Sequence, residues 1–364
     1  MSVVFIVQQL SQPRCIKRIL AIQKTGIPIK VYGFDNGLYN NNLDELPFSI
    51  TAIIKRDKTV SRLRKIIFFL RTIKRIMNEN SQNDLFYLFG FEIGIISYFL
   101  KCKKYVYEEA DVSAARIHNS VLRKFLLMLD RSVILNSMLT VFTSQGFVKY
   151  IFGDIRPHNV IFIPNKLNIF FTEEKRLKFS DRVIDINHIK FGFIGLIRYP
   201  NTIIRFAKVI GRKFPQHEFH FYGDVERKHY IDEEINNFSN VYFHGPFKNP
   251  TDLPCIYSNI DINVVCYDAR SGNVRIAEPN KLYESIFFET PIVVSKDTFL
   301  AERVKEYNIG ESIDASSDKL IFSFVRSLRR EIIDEYIQSC RSIPYNEVID
   351  DSSEFLKRIV EYAK

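Results

Sequence analysis

The sequence predicts an α/β protein made of two doubly wound halves of similar size. In both halves, apolar runs of strand length alternate with segments of helical period, which is the pattern of a mainly parallel sheet covered by helices. A polar stretch without a clear period, residues 167–188, separates the halves and is the expected linker. The chain has 364 residues, more than one hydrophobic core of ordinary size holds.

The first half, residues 1–166, opens with an apolar run that is short and lacks a preceding basic segment. We therefore interpret it as a first strand and not as a signal peptide. Strands are predicted at residues 3–7, 27–33, 48–54, 84–89, 105–107, 139–142 and 160–163, and helices at residues 13–24, 62–77, 92–100 and 121–129.

The second half, residues 189–342, repeats the alternation, and two such halves joined by a linker imply a cleft between them. The segment 348–362 is amphipathic, so we expect residues 343–364 to form a C-terminal helix that folds back on the first half. The predicted strands of the second half are residues 190–197, 218–222, 241–243, 261–266 and 291–295.

Composition narrows the class of protein. A hydrophobic content of 46% with 26% charged residues is typical of a soluble globular chain. The five cysteines are odd in number, widely spaced and form no C-x-x-C, so the sequence indicates neither a disulfide framework nor a zinc site, and a reducing cytoplasm fits best. The net charge of +9 is concentrated, because residues 55–75 hold nine Lys or Arg and one acid. Such a basic segment indicates phosphate partners, in nucleic acid or at a membrane surface.

The basic segment contains a predicted helix at residues 61–78. Arg64 and Arg71 share one face, and Phe68 and Phe69 fall outside the apolar stripe, beside the arginines. A helix lying at a membrane interface has this pattern, although an ordinary solvated face is the alternative. No recognised nucleic-acid module accompanies the helix, so we expect an anionic membrane surface as its partner and no nucleic acid.

The segment that begins at Glu278 and ends at Glu284 indicates a ligand site. It lies at a predicted helix start, directly before the strand 291–295. Ligands of open α/β sheets bind beyond the carboxyl ends of the strands, where helix N-termini suit phosphates and a nearby Glu can accept hydrogen bonds from sugar hydroxyls. Lys281, in the first helical turn, opposes the helix dipole unless an anion is present. The segment therefore predicts a nucleotide-sugar site.

Arg198 is a second candidate for the diphosphate. It follows a buried strand and precedes Pro200, which places it on a loop at a strand end, where a guanidinium suits a diphosphate. The alternative is a surface salt bridge. No G-x-G-x-x-G, phosphate loop, H-E-x-x-H, G-x-S-x-G or D-x-D occurs, so we expect neither a nicotinamide cofactor nor a metal, and Arg, Lys and helix dipoles would meet the diphosphate charge.

The strand ends of the second half also match a known family in order and spacing. The matching stretches are 193–198 (FIGLIR), 220–223 (HFYG), 243–246 (FHGP), 279–284 (PNKLYE) and 290–294 (TPIVV), with weaker matches at 141–144 and 163–165. They resemble the glycosyltransferases of the two-Rossmann-domain (GT-B) type, in particular glycosyltransferase family 4 and its bacterial cell-surface polysaccharide members.

The resemblance implies two Rossmann-like domains facing a cleft, with residues 1–166 binding the acceptor and residues 189–342 binding the nucleotide sugar. It implies transfer from a UDP-sugar to a lipid-linked oligosaccharide in capsule or related polysaccharide biosynthesis. It also implies that the configuration at the anomeric carbon is retained and that neither a metal nor another cofactor takes part. The enzyme would be cytoplasmic, peripheral at the inner face of the cytoplasmic membrane.

The family signature carries over in part. It consists of two Glu separated by seven residues, and Glu284 corresponds to the second, which implies a ribose contact. The position of the first is occupied by Ile276, so Glu278 or backbone groups of residues 271–273 would replace it. Arg198 and Lys281 would stabilise the charge on the leaving diphosphate. The other expected donor-site residues are Gly195, Asn280 and Tyr283.

The acceptor residues are expected at strand ends of the first half. Glu109 and Asp111 follow a strand together with Glu108, and acids this close repel one another unless cations or substrate pair with them. A helix cap by Asp111 is the alternative. The remaining acceptor candidates are His118, Gln9 and Ser11.

Two other functions stay open at this point. A nucleotide-sugar 2-epimerase has the same fold and needs no acceptor. A non-catalytic basic protein could bind membranes or RNA through residues 55–75, with a steep dependence on salt.

Overall fold

The structure is a computed structural model. It describes residues 1–10, 12–35, 46, 48–55, 61–168, 170–177, 183–198, 200–225 and 233–364. The chain divides into two compact units, Met1–Pro164 with Asp351–Lys364, and Asn165–Asp350. Each unit is built on one parallel sheet.

The strands of the first unit are β1 (Val3–Val7), β2 (Ile29–Asp35), β3 (Ala52–Lys55), β4 (Leu85–Phe89), β5 (Tyr105–Glu109), β6 (Leu139–Phe142) and β7 (Val160–Phe162). They pair in parallel in the order β3-β2-β1-β4-β5-β6-β7. The helices are α1 (Pro13–Gln23), α2 (Arg62–Glu79), α3 (Phe91–Phe99), α4 (Ser120–Asn136), α5 (Gln145–Phe152) and, from the end of the chain, α16 (Ser353–Tyr362).

Helices cover both faces of this sheet. Successive side chains of a strand point to opposite faces, and β5 shows which helices lie on each. Val106 packs in a core cluster with Ile19 of α1 and Phe355 of α16. Tyr105 points the other way and donates a hydrogen bond to the Val133 carbonyl of α4 at 2.6 Å. Helices α1 and α16 therefore lie on one face, and α4, with α3 packed against it, on the other.

The strands of the second unit are β8 (Lys190–Ile194), β9 (Glu218–Tyr222), β10 (Val241–Gly245), β11 (Ile262–Val265), β12 (Ile292–Ser295) and β13 (Gly310–Ile313), in the order β10-β9-β8-β11-β12-β13. The helices of at least seven residues are α7 (Pro200–Lys213), α11 (Lys281–Phe287), α12 (Phe299–Tyr307), α13 (Asp318–Ser327) and α14 (Arg330–Ser342). Shorter ones are α6 (Glu173–Leu177), α8 (Glu233–Asn236), α9 (Leu253–Ser258), α10 (Gly272–Ile276) and α15 (Tyr345–Val348).

Two apolar clusters form the core of the second unit. One packs α7 and α13 against the sheet through residues such as Phe206 and Phe324. The other contains Tyr257 of α9, Tyr283 of α11 and Cys340 of α14. All seven residues of α11 are buried, so the segment that carries the predicted ligand site is also a core helix.

The structure differs from the predicted organisation at the linker. Where it is described, this stretch belongs to the second unit, because Leu167, Phe171 and Ile184 are buried in the core clusters of that unit. The ring centroid of Phe171 lies 5.2 Å from that of Phe287, and Arg176 donates a hydrogen bond to the Ile343 carbonyl at 2.8 Å. Leu167 forms a bridge with Ile349, so residues 343–350 also belong to this unit.

Strand β13 and helix α5 are among the elements that the prediction missed. Strand β13 lies at the edge of its sheet, where Glu311 and Ser312 interrupt the apolar pattern that marks a strand. Helix α5 has eight residues, too few for a clear helical period.

Candidate functional site

The carboxyl ends of β8, β9 and β10 each carry a glycine. Gly195, Gly223 and Gly245 have φ angles of +131°, +132° and +76°, which favour glycine. The Gly195 N–H donates to the Tyr222 carbonyl and the Gly223 N–H to the Gly245 carbonyl, both at 2.7 Å. A Cβ atom on Gly223 would lie 2.0 Å from the Gly195 carbonyl oxygen. The three glycines, here called the glycine edge, leave the backbone of these strand ends without side chains.

The Lys281 side chain runs alongside the glycine edge. Its Cε lies 3.7 Å from the position that a Cβ on Gly195 would occupy. The ammonium is buried and donates to Glu284 Oε2 at 2.7 Å, one helical turn away. An ammonium has three N–H donors, and within the described part of the chain the ammonium of Lys281 donates to Glu284. A buried cation beside bare backbone is suited to binding an anion.

Glu284 lies inside the unit. Its carboxylate accepts hydrogen bonds from Lys281, from Asn280 Nδ2 at 2.5 Å and from the Tyr257 hydroxyl at 2.8 Å. Burial and the charge of Glu284 raise the pKa of Tyr257 well above its usual value, which keeps the phenol protonated as a donor. A carboxylate can accept about four hydrogen bonds, so the ribose contact expected of Glu284 would use the remaining acceptor site of Oε1, and it stays a prediction.

Glu278, the other carboxylate of the segment, has separate partners. It accepts a hydrogen bond from the Tyr283 hydroxyl, and its Oε2 lies 3.2 Å from Arg303 Nε of α12. Burial raises the pKa of Glu278, and the hydroxyl and the guanidinium oppose that shift. Arg303 was not among the predicted site residues, because it lies two elements further along the chain. Glu278 and Tyr283 thus pair with each other rather than facing solvent.

Arg198 is exposed on the loop that follows β8, three residues after Gly195. The preceding residue, Ile197, donates its N–H to the Asp224 carbonyl at 2.9 Å, which joins this loop to the one after β9. The structure thus brings Gly195, Lys281, Asn280 and Glu284 together and places Arg198 on the loop leading away from the same strand.

A pocket of about 430 Å³ lies at the carboxyl ends of β12 and β13, beside the start of α7. Sequence reasoning missed it because its walls come from four separate segments. Most of its cations are paired with acids. Arg270 lies 2.5 Å from Asp268, and Lys296 lies 3.3 Å from Asp314. Hydrogen bonds from Arg270 lower the pKa of Asp268.

In the first unit, the neighbouring acids of β5 point to opposite faces of the sheet. Glu108 lies towards α1, where it accepts a hydrogen bond from Tyr87 and lies 3.3 Å from Arg14 Nε and 3.2 Å from Arg18 Nε. The Arg18 guanidinium in turn lies 5.1 Å from the ring centroid of Phe355 in α16. The expected repulsion between Glu108 and its neighbour is therefore relieved by the alternation of the strand.

Glu109 lies beneath α4, beside Asp130 and Tyr107. The Tyr107 hydroxyl donates to Asp130 Oδ1 at 3.2 Å. Burial, and then the neighbouring Asp130, raise the pKa of Glu109 well above its usual range, and burial raises the pKa of Asp130 to about 7. The acceptor contact predicted for Glu109 does not agree with this placement, because its carboxyl group is in the interior of the unit.

The other acceptor candidates lie nearer the surface. Asp111 is exposed and forms an ion pair with Arg116 at 2.8 Å, across a 3₁₀ turn. His118 is exposed, and Gln9 is partly exposed after β1. Ser11 lies outside the described residues. Strand β4 separates β1 from β5, so the structure does not place Gln9 on a strand next to the one that Asp111 follows.

The basic helix is α2. Ile66, Ile67 and Leu70 are exposed, and Phe68 is exposed as expected. The prediction for Phe69 was wrong, because its ring stacks on Phe34 at 4.4 Å and is buried. The helix turns Phe69 towards the sheet because the buried face also includes Ile73 and Ile76. No helix in the described part of the chain combines the length and apolarity that crossing a bilayer requires.

No protein-family model matches this sequence, and no curated protein matches it. Solved structures, however, match it over nearly the whole chain. HepE of Anabaena in complex with UDP and glucose aligns with 98% of this chain and 98% of its own at 15% identity and a TM-score of 0.69. Sucrose-phosphate synthase of Thermosynechococcus elongatus covers 99% of this chain and 98% of its own at 11% identity, with a TM-score of 0.68. A glycosyltransferase of Rickettsia africae covers 100% and 98% at 12% identity, with a TM-score of 0.66.

The chain has the GT-B fold. The prediction of two Rossmann-like domains is confirmed by the two parallel sheets with flanking helices and by the full-length match. At these identities the likeness shows the GT-B fold alone, so membership of glycosyltransferase family 4 stays a prediction.

Proposed function

We propose that this protein is a glycosyltransferase that moves a sugar from a nucleotide-sugar donor, a UDP-sugar, to an acceptor hydroxyl. The observation that carries the proposal is the buried Lys281 ammonium beside the glycine edge, at the carboxyl ends of parallel strands. Structures of the same fold agree with this choice of ligand, since HepE has been solved with UDP and with UDP-glucose.

The diphosphate would lie along the glycine edge. Gly195 permits close approach of the backbone, and the ammonium of Lys281 supplies charge from within the unit. Arg198 would add a second cation from the loop after β8. As the sugar leaves, negative charge grows on the β-phosphate, and a cation already fixed in position stabilises it without reorganisation. Glu284 would hold Lys281 in that position and contact the ribose when nucleotide binds.

We propose that the configuration at the anomeric carbon is retained and that no metal takes part, as the resemblance to family 4 implies. The bond from this carbon to the diphosphate breaks while a bond to the acceptor oxygen forms on the same side. The acceptor proton passes to the leaving diphosphate. Within the chain, the task of Lys281 and Arg198 is to stabilise the charge on the diphosphate.

The acceptor we propose is a lipid-linked oligosaccharide of cell-surface polysaccharide biosynthesis, met at the cytoplasmic face of the membrane. The exposed apolar and basic residues of α2 support this, because such a helix can rest at the bilayer surface. Asp111 and His118, which are exposed in the first unit, are the acceptor-binding candidates that agree best with their placement.

Binding of nucleotides tests the proposal first. We would measure the melting temperature with UDP, GDP, ADP and their sugars in the presence of EDTA, because ligands of the native state raise it by mass action. The expected result is a shift with the UDP compounds that EDTA leaves unchanged. No shift with any nucleotide would overturn the assignment of the glycine edge.

The Arg198→Ala variant separates binding from chemistry. We expect turnover to fall at least tenfold with little change in melting temperature, because the side chain is exposed. Arg330→Ala, which removes another exposed arginine of the same unit, is the matched control. Equal turnover of the two variants would contradict the role of Arg198. Conversion of the UDP-sugar without any acceptor would instead indicate an epimerase.

A further inference from the structure

A ladder of aromatic rings covers one face of strand β10 and its neighbour β9. His220 and Tyr222 project from β9 on the same face, because they are two positions apart, and Tyr242 and His244 do so on β10. The ring centroids of His220 and Tyr242 lie 4.9 Å apart, and those of Tyr222 and His244 lie 4.2 Å apart. We call these four rings the ring ladder.

Hydrogen bonds join three histidines and one acid on this face. Glu218 Oε1 lies 3.2 Å from His188 Nε2, and Glu218 Oε2 lies 2.8 Å from His220 Nε2. The other ring nitrogen of His220, Nδ1, lies 3.0 Å from His244 Nε2. We call these four residues the histidine chain. It runs from His188, exposed before β8, to His244, which directly precedes Gly245 of the glycine edge.

The acid at the centre of the histidine chain fixes the positions of the protons. Burial alone would raise the pKa of Glu218, but the hydrogen bond from His220 and the neighbouring charges lower it, so the carboxylate is ionised and only accepts. His220 therefore carries a proton on Nε2. While its ring is neutral, its Nδ1 has the lone pair and accepts a hydrogen bond from the Nε2–H of His244.

The pair formed by His220 and His244 accommodates one additional proton but not two. With one, either ring is an imidazolium, and the other still offers a lone pair across the 3.0 Å between them. With two, both facing nitrogens carry protons, so no acceptor is left and the two positive rings repel each other. The second proton therefore breaks the bond that joins the side chains of β9 and β10.

The surroundings of the pair oppose a second proton. Burial lowers the pKa of both His220 and His244 below the ordinary 6.5, and Lys190 of β8 adds to the effect on His220. Helix α9 brings the Cys255 thiol to this face, and the acid in contact with the rings is Glu218 of the chain itself. The other titratable groups here are the phenols of the ring ladder. The unfolded chain takes up both protons as the pH falls through about 6.5, so the stability that the pair contributes is present above this pH and is lost below it.

The hydrogen bond of the pair supports the end of β10. This strand is at the end of the strand order and pairs with β9, and the register of the two shifts between Phe243 and Gly245. At this end, the Gly223 N–H donates to the Gly245 carbonyl at 2.7 Å. The side chain of His244 adds a hydrogen bond and a ring stack to that contact. Loss of the bond between the histidines therefore loosens Gly245, at one end of the glycine edge.

We propose that the histidine chain makes nucleotide binding at the glycine edge dependent on pH, because a second proton on the pair of His220 and His244 loosens the end of β10. The inference rests on the proposed function, since it takes the glycine edge as the diphosphate site. Histidine is the side chain that changes charge between about pH 5 and pH 8. The donor site is then competent near neutral pH and impaired below about pH 6.

Titration of the full chain with UDP-glucose at about pH 7.5 and pH 5.5 tests the proposal. Both phosphates of this ligand are esterified, so its charge is the same at the two pH values, whereas a terminal phosphate titrates near about pH 6. We expect the affinity to be about three- to tenfold weaker at the lower pH, which is the effect of one lost hydrogen bond.

Two variants of His244 assign the effect to the pair. His244→Gln keeps an N–H donor for His220 but takes up no proton, so it should bind as the native chain does at pH 7.5 and lose the dependence on pH. His244→Phe keeps the ring stack but removes the bond, so it should bind weakly and equally at both pH values. The matched control, His158→Gln, removes an exposed histidine of the first unit and should keep the native dependence. Buried acids such as Glu278 are common to all of these proteins and do not account for a difference between them.

Nuclear magnetic resonance of the histidine rings gives a readout that does not involve nucleotide. Long-range ¹H–¹⁵N spectra at pH 7.5 should show His220 and His244 each protonated on Nε2. A proton on Nδ1 of neutral His220 overturns the proposal, and so does a folded His244→Phe variant that keeps the native dependence on pH. Equal affinity of the native chain for UDP-glucose at both pH values overturns this inference alone. No binding at either pH overturns the proposed function as well, so the two failures are distinguishable.

Discussion

Replacing Gly223 by alanine tests the geometry of the glycine edge. The residue has a φ of +132°, and an added Cβ would lie 2.0 Å from the backbone oxygen of Gly195. Because that atom belongs to the backbone, no side-chain rotation relieves the clash, and the ends of β8 and β9 must separate. The backbone strain costs about 1–3 kcal/mol and the overpacking about 1–3 kcal/mol. We therefore expect the free energy of unfolding of the second unit to fall by about 2–6 kcal/mol.

Gly245 provides the matched control on the same edge. It has a φ of +76°, but an added Cβ would meet no atom within 4 Å. Gly245→Ala should therefore cost only the backbone penalty, about 1–2 kcal/mol. Both replacements carry a backbone penalty, so the difference between the two variants reports mainly the contact with Gly195.

Urea unfolding followed by circular dichroism measures the two free energies, since the chain contains no Trp to report by fluorescence. A UDP titration of the folded variants measures the effect on the site. We expect Gly223→Ala to weaken UDP binding more than Gly245→Ala does, because it displaces Gly195 beside Lys281. Equal stability of the two variants would refute the reasoning about the edge.

Three further changes test the buried polar groups and the C-terminal helix. Burial raises the pKa of Asp130 from 3.8 to about 7, so between these values the folded state binds a proton that the unfolded state has lost, and the free energy of unfolding should fall as the pH rises. Asp130→Asn should flatten this pH dependence in urea unfolding. An unchanged pH dependence would contradict the raised pKa of Asp130. Tyr257→Phe removes one of the three donors to Glu284 and should lower stability by about 1–3 kcal/mol, whereas an unchanged melting temperature would show that the bond contributes nothing. Phe355→Ala should cost about 3–5 kcal/mol and speed hydrogen exchange of α16, and slow exchange would show that the helix is held by other contacts.

The fold could be predicted because its signal is repeated along the chain. Each buried parallel strand is a short apolar run, as in β1 and β12, and the helical segments between them repeat the pattern many times. A single weak element, such as β13 with its polar residues, does not change the conclusion. The glycines at the strand ends can be located in the sequence for a similar reason, because each lies near the end of a predicted strand.

The partners of the site residues could not be predicted. Glu278 and Glu284 are six positions apart, yet one pairs with Tyr283 and Arg303 and the other with Lys281 and Tyr257. These contacts depend on how α9, α11 and α12 pack, and no local pattern contains that information. The sequence suggested two carboxylates free to meet a ligand, whereas the structure gives each of them partners within its own unit.

The amino-acid sequence by itself determined the class of fold and the presence of two sheets, because hydrophobic period and turn residues are local properties, and it predicts the strand ends at which a ligand would bind. The tertiary structure decided which side chains are available there. Glu108 and Glu109 are adjacent in sequence but lie on opposite faces of β5, and Phe68 is exposed while Phe69 is buried. The physical reason is that burial depends on what packs against each face of a strand or helix, and those neighbours come from distant parts of the chain.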